Sequence, residues 1–188
     1  MISRTIVALL VMVSATSYAF EKCPSDATKC STTTLGKLEY ILGQSVKDKQ
    51  SRILLNGMEI FKTDSYRIGE DVVGDGRVLD KNNNINKLII YYRLNTRQYI
   101  KTDAKYGDLY RLSAYRVFDF SGKEVVISNE FYPPADYDAP LKWVSWGQKN
   151  SVITFADGSR FKYEKGHVTM IDDGKKTATI TDRVRATE

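Results

Sequence analysis

Apolar and polar residues alternate from Ser159 to Glu164, with Phe161 and Tyr163 set between Arg160, Lys162 and Glu164. A period of two sends successive side chains to opposite faces of a strand, one face buried and one wet. The same grain runs along much of the chain and is broken at short spacing by turn residues. Arg52 to Leu55 and Met58 to Phe61 flank Asn56-Gly57. That dipeptide accepts the positive φ that a type I′ hairpin turn needs at both central positions. Tyr115 to Phe120 and Glu124 to Ser128 flank Ser121-Gly122 as a second hairpin. The last third reads as a meander. Ser151 to Ala156 turns at Asp157-Gly158 into Ser159 to Glu164, Lys165-Gly166 leads to His167 to Ile171, and Asp173-Gly174 leads to Lys176 to Thr181.

Two longer runs occupy the middle, Lys87 to Leu94 and Leu109 to Phe120, both rich in aromatic and β-branched residues. No sustained 3.6-residue period is present beyond the first residues, and only Ser45 to Arg52 suggests a short helical turn. About ten to thirteen strands result, which predicts an all-β fold, an antiparallel sandwich or barrel-like meander built from hairpins.

Residues 1–19 have a different pattern. Arg4 precedes the apolar run Ile6 to Val13, and Ser17-Tyr18-Ala19 follows with small residues where a signal peptidase reads. This predicts a secretory signal peptide of bacterial style, with the exported chain starting at Phe20. The run is too short to span a bilayer, and no later segment is long and apolar enough. Residues 20–188 then form a single β-rich domain of ordinary size, in the periplasm or secreted. Cys23 and Cys30 are the only cysteines. In an oxidising compartment they are expected to pair and clasp the N-terminal segment, residues 20–36. Closing so short a loop contributes about 2.5 kcal/mol. The spacing is not the Cys-x-x-Cys of a redox motif.

Charge is well mixed, with 28 Lys and Arg against 23 Asp and Glu. So mild an excess does not call for nucleic acid, and export separates the protein from it. Nucleophilic catalysis has little to work with. His167 is the single histidine, and no Gly-x-Ser-x-Gly elbow occurs. Ser159-Arg160-Phe161-Lys162 matches Ser-x-x-Lys, but on a strand those two side chains face opposite ways. No metal or cofactor is expected. Asp71, Asp75, Asp80, Asn82 and Asn84 offer oxygens for calcium, yet Ile85 and Tyr91 stand where an EF-hand loop needs its Gly and bidentate Glu.

Two surface features rise above this background. The segment Lys87 to Arg116 carries Lys87, Arg93, Arg97, Lys101, Lys105, Arg111 and Arg116 against only Asp103 and Asp108, together with six of the twelve tyrosines. Arg93, Arg97, Lys101 and Arg111 are its candidate contacts for an anionic glycan or lipid surface. The segment Asn129 to Trp146 holds three of the four prolines and both tryptophans. Its prolines make a stiff loop, in which Tyr132 and Tyr137 are candidate anchors and Asp136 and Asp138 steer a basic partner. Trp143 and Trp146 are expected to fold back into the core. The reading that follows is an exported, non-catalytic binding protein acting on another protein, concretely a periplasmic inhibitor or immunity protein against a toxin. The alternatives are an envelope-acting carboxylate-dependent hydrolase and a binder of glycan or anionic lipid through the basic Tyr-rich strands.

Overall fold

The computed structural model describes residues 23, 27–43, 50–65, 68–70, 75–93, 113–134 and 139–174. The expected signal peptide, the start at Phe20 and the strand Lys176 to Thr181 lie outside these residues. Thirteen strands and no helix are found among the described residues. The all-β expectation is therefore met, and none of these residues forms a helix long and apolar enough to cross a membrane.

Strands β1 (Lys29–Thr33), β2 (Gly36–Ile41), β3 (Ser51–Leu55) and β4 (Met58–Thr63) form an antiparallel meander. At its β3–β4 turn Asn56 has φ 53° and Gly57 φ 78°, the primed geometry the dipeptide demands. Asn56 does more than turn the chain. Its Oδ1 accepts from Lys37 N (2.9 Å) and its Nδ2 donates to Leu35 O (2.9 Å), which locks this turn onto the β1–β2 turn. Gly36 makes room for that amide, since a Cβ there would stand 2.1 Å from Asn56 Oδ1. Ser51 and Arg52, expected in a helical turn, belong to β3, where Ser51, Ile53 and Leu55 point inward.

The second arm centres on β7 (Ile85–Arg93) and β8 (Ser113–Asp119), with β5 (Ile68–Glu70) and β6 (Arg77–Leu79) pairing to β7, and β9 (Val126–Ile127) to β8. One parallel bridge, Thr33 to Ile85, joins the two arms into a nine-stranded sheet. The sheet curls there into a half-barrel. Phe61 of β4 stands five strands from β8 in the hydrogen-bonded order, yet its ring lies 5.4 Å from that of Tyr92 and 5.6 Å from that of Phe118. A separate antiparallel sheet is made of β10 (Leu141–Trp146), β11 (Ser151–Phe155), β12 (Ser159–Glu164) and β13 (His167–Asp173).

Residue parity on β7 and β8 organises the molecule. Leu88, Ile90, Tyr92, Ala114 and Phe118 face the β1–β4 arm and pack with Leu38, Tyr40, Ile53 and Leu55. Ile89, Tyr115 and Val117 face the other way, onto Leu141, Val144, Ile153, Phe155, Phe161 and Val168 of the second sheet. The pair is thus a wall shared by two cores. That is why Leu88 to Tyr92 is apolar without a break: a strand wet on one face would alternate. Each fully buried side chain of this size contributes about 1.5–3 kcal/mol by leaving water.

Candidate functional site

The site is best built from the strand end where β7 stops and β8 begins. Arg93 pairs with Ser113, and Tyr91 with Tyr115. On its other side Tyr115 bridges to Phe131 through both backbone hydrogen bonds (2.9 and 3.1 Å). Arg93, Ser113 and Phe131 therefore lie near one another at this one end. One described member of each surface feature read from the sequence, Arg93 and Tyr132, stands near it.

Residues 128–131 hold this end together, each reaching a different part of the fold. Ser128 Oγ accepts from Val117 N (2.9 Å). The Asn129 amide lies along β13, accepting from Val168 N (2.7 Å) and donating to Val168 O (3.0 Å). It thereby covers peptide groups that an edge strand leaves open. Glu130 turns toward the half-barrel and accepts a hydrogen bond from the Tyr92 hydroxyl. Arg116 completes this group. Its Nε donates to Tyr92 Oη (3.0 Å), its Nη1 donates to Ser128 O (2.7 Å), and its Nη2 lies 3.8 Å from Glu130 Oε2. The guanidinium also sits 5.6 Å from the centre of the Phe61 ring. Burial, and then the Glu130 carboxylate, push the Tyr92 hydroxyl well above its ordinary pKa. Tyr92 is thus a hydrogen-bond donor at neutral pH, not a base.

Phe131 turns into the second core, with ring centres 5.3 Å from Phe161 and 6.0 Å from Tyr115. Tyr132 is 42% exposed, while Phe131 before it and Pro133 after it are buried. Its backbone is therefore pinned on both sides while its ring faces solvent. Asp136, Tyr137 and Asp138 lie outside the described residues, as do Arg97, Lys101 and Arg111. Arg93 is half-buried at the tip of β7.

The basic segment is not one surface. Lys87 shares the parity of Ile89 and faces the second sheet, where it pairs with Asp119 (3.2 Å) and lies 5.8 Å from the Tyr163 ring centre. Arg116 shares the parity of Ala114 and Phe118 and points into the half-barrel. Those two cations are opposed by carboxylates on opposite faces of one wall. Their parity against apolar neighbours was a usable signal. The proline-rich loop is also shorter than expected. Leu141 to Trp146 is strand β10, and Trp143 is not in the core but 43% exposed on it. The cause is register: Val144 faces Ile153 inward, so Trp143, opposite Thr154, faces out. Trp146 is half-buried and donates its indole N–H to Asp75 O (2.7 Å).

The remaining candidates resolve into local structure. Cys23 and Cys30 are bonded, as expected, with Cα atoms 5.7 Å apart. Asp80 Oδ1 accepts from the backbone N–H of Asn82 and of Asn84 (2.8 Å each), so this carboxylate shapes the β6–β7 turn. Those bonds hold its pKa below the ordinary value. No group of three or more metal-ligating residues occurs among the described residues. Ser159 is buried and donates to Asp157 Oδ1 (2.7 Å), while Lys162 pairs with Glu164 (2.7 Å). His167 is exposed at the start of β13.

Two further carboxylates were not legible as special. Glu70 is buried in the half-barrel, where Oε1 accepts from Tyr40 (2.8 Å) and Ser31 (2.9 Å), and Lys29 Nζ lies 3.0 Å from Oε2. Burial alone would raise its pKa, but the Tyr40 hydroxyl, Lys29 and Ser31 outweigh it and hold it below the ordinary value. Asp119 accepts from Tyr163 (2.9 Å) and from Ser121 N (3.0 Å) beside Lys87. Burial raises its pKa too, and Ser121, Tyr163 and Lys87 together bring it below the ordinary value. Both are ionised acceptors at neutral pH, and neither is the proton-holding acid that glycoside hydrolysis requires. Comparison with known proteins gives no match to a family model, to a curated protein or to a solved structure.

Proposed function

We propose that this is an exported, non-catalytic binding protein whose partner is another protein, in the form of a periplasmic inhibitor or immunity protein against a toxin. The observation that carries the reading is Tyr132, an exposed ring on a backbone held between buried Phe131 and Pro133. An aromatic presented this way loses little freedom on contact, and such residues dominate interface energetics. Tyr137 is the second anchor, with Asp136 and Asp138 steering a basic face of the partner. The disulfide suits export, since such bonds persist in oxidising compartments.

A second reading is favoured by Arg93, which stands at the same end as Tyr132. With Arg97, Lys101 and Arg111 it would give an anionic glycan or lipid surface. Affinity capture of partners from envelope extract separates the two. The first reading expects a protein that is retained by wild type and lost by the double variant Tyr132→Ala, Tyr137→Ala. Anionic polysaccharide or lipid retained equally by both proteins would overturn it.

A further inference from the structure

The outer face of the second sheet is a different kind of surface from the Tyr132 end. Cross-strand pairing places Trp143, Thr154, Arg160 and Asp172 in one row across all four strands. Ser145, Val152, Lys162 and Thr169 form the next row. Strand spacing makes the first row about 14 Å long. Trp143 is 43% exposed at one end of it. Arg160 and Asp172 form an ion pair of 3.2 Å, and Lys162 and Glu164 one of 2.7 Å, all four side chains being about half exposed. Between the tryptophan and these pairs lies Thr154, 7% exposed, whose buried Oγ1 has no hydrogen-bond partner.

This face combines three things. An indole face carries a negative π-surface that attracts polarised C–H bonds. Each ion pair offers charged donors and acceptors side by side while adding no net charge. The threonine hydroxyl is an unspent hydrogen-bonding group within the same row. A chain of uncharged sugar rings matches all three, because each ring has a C–H face and an edge of hydroxyls that both donate and accept. An anionic ligand would find each cation here already opposed by a carboxylate. The geometry points to a binding platform for a neutral polysaccharide on β10 to β13, with Trp143 as its stacking residue.

The platform is independent of the proposed partner site, so the two can fail separately. The test is titration of the purified protein with chitohexaose and with cellohexaose, followed by tryptophan emission and by calorimetry. At least one hexasaccharide is expected to bind and shift the emission. Trp143→Ala should weaken that binding by about thirtyfold or more, the loss usual for a central aromatic anchor. Trp143→Tyr, which keeps a stacking ring, should retain most of it. Affinity should be unchanged between about 0.05 and 0.5 M salt, a range that screens exposed charges. Partner capture through Tyr132 should be unaffected by either variant. Failure of both sugars to bind wild type, binding that survives Trp143→Ala, or binding that collapses with salt would each overturn the assignment.

Discussion

The cores on either side of the β7–β8 wall are closed by different means. The half-barrel core is joined to the wall by a single backbone bridge at Thr33 and Ile85, and polar groups fasten both of its lips. Glu70 receives Tyr40, Ser31 and Lys29 on one side, while Arg116, Tyr92 and Glu130 gather beside Phe61 on the other. The second core is closed chiefly by aromatic rings. Phe155 lies 4.8 Å from Tyr115, 5.6 Å from Phe161 and 6.2 Å from Phe131, with Asp119, Lys87 and Tyr163 as a polar tie at the margin. Directional bonds set a register, while packed rings supply most of the burial. The segment 128–133 draws on both, with Glu130 on the polar lip and Phe131 in the aromatic core. Tyr132 is presented from where the two meet.

Breaking the aromatic closure should have the largest effect. Phe155→Ala is expected to cost about 3–5 kcal/mol, read as a lower urea midpoint. It also frees Phe131, so partner affinity should fall with stability. Phe118→Ala in the half-barrel has a similar stability cost but should leave partner affinity near wild type in the folded fraction. Equal loss of affinity in both variants would erase the distinction between the cores.

Polar closure gives the next effect. Glu70→Ala leaves the buried Tyr40 hydroxyl without its acceptor, at about 2 kcal/mol. The sign of its pH dependence is defined. Because the folded-state pKa of Glu70 lies below the ordinary carboxylate value, its contribution is present above that value and is lost as pH falls through the folded pKa. Glu70→Gln should therefore be less stable than wild type at pH 7 and lose less on acidification. Denaturant midpoints at neutral and acid pH check this, and parallel curves for the two proteins would refute it.

Smaller effects sharpen the picture. Gly57→Val forces a β-branched residue toward φ 78°, in open space, so backbone strain alone acts, at about 1–3 kcal/mol. An unchanged melting temperature would mean that the turn relaxes freely. Tyr163→Phe removes one donor from a partly solvated Asp119 and should cost about 1 kcal/mol, less than the Glu70 change. The reverse order would show that the margin of the second core, not the lip of the first, carries the polar stabilisation.

Local chemistry was legible in the sequence where one short stretch contains its own cause. Asn56-Gly57 and Lys165-Gly166 bring the positive φ their turns need, and alternation at Phe161 and Tyr163 declares an inner face. The unbroken run from Leu88 to Tyr92 announced a strand, but only the second sheet explains its two buried faces. Long-range pairing was not legible. Tyr40 meets Glu70 across 30 positions, and Tyr163 meets Asp119 across 44. No spacing rule links such residues, because sheet curl brings the first pair together and the packing of one sheet on the other brings the second. Trp143 was misassigned for a related reason: its face depends on β10 register, which one strand alone does not define. At the candidate site, Tyr132 was legible as an aromatic among prolines, whereas its pinning by Glu130 and Phe131 required the fold.

The central claim is that Tyr132, held by both cores, anchors a protein partner together with Tyr137. Calorimetric titration of the captured partner against wild type and the Tyr132→Ala, Tyr137→Ala double variant, with both proteins shown folded by circular dichroism, tests it most directly. A loss of about 2 kcal/mol or more, roughly thirtyfold in affinity, with unchanged thermal stability is the predicted result. Equal affinity for the two proteins would contradict it and leave Tyr132 a structural residue.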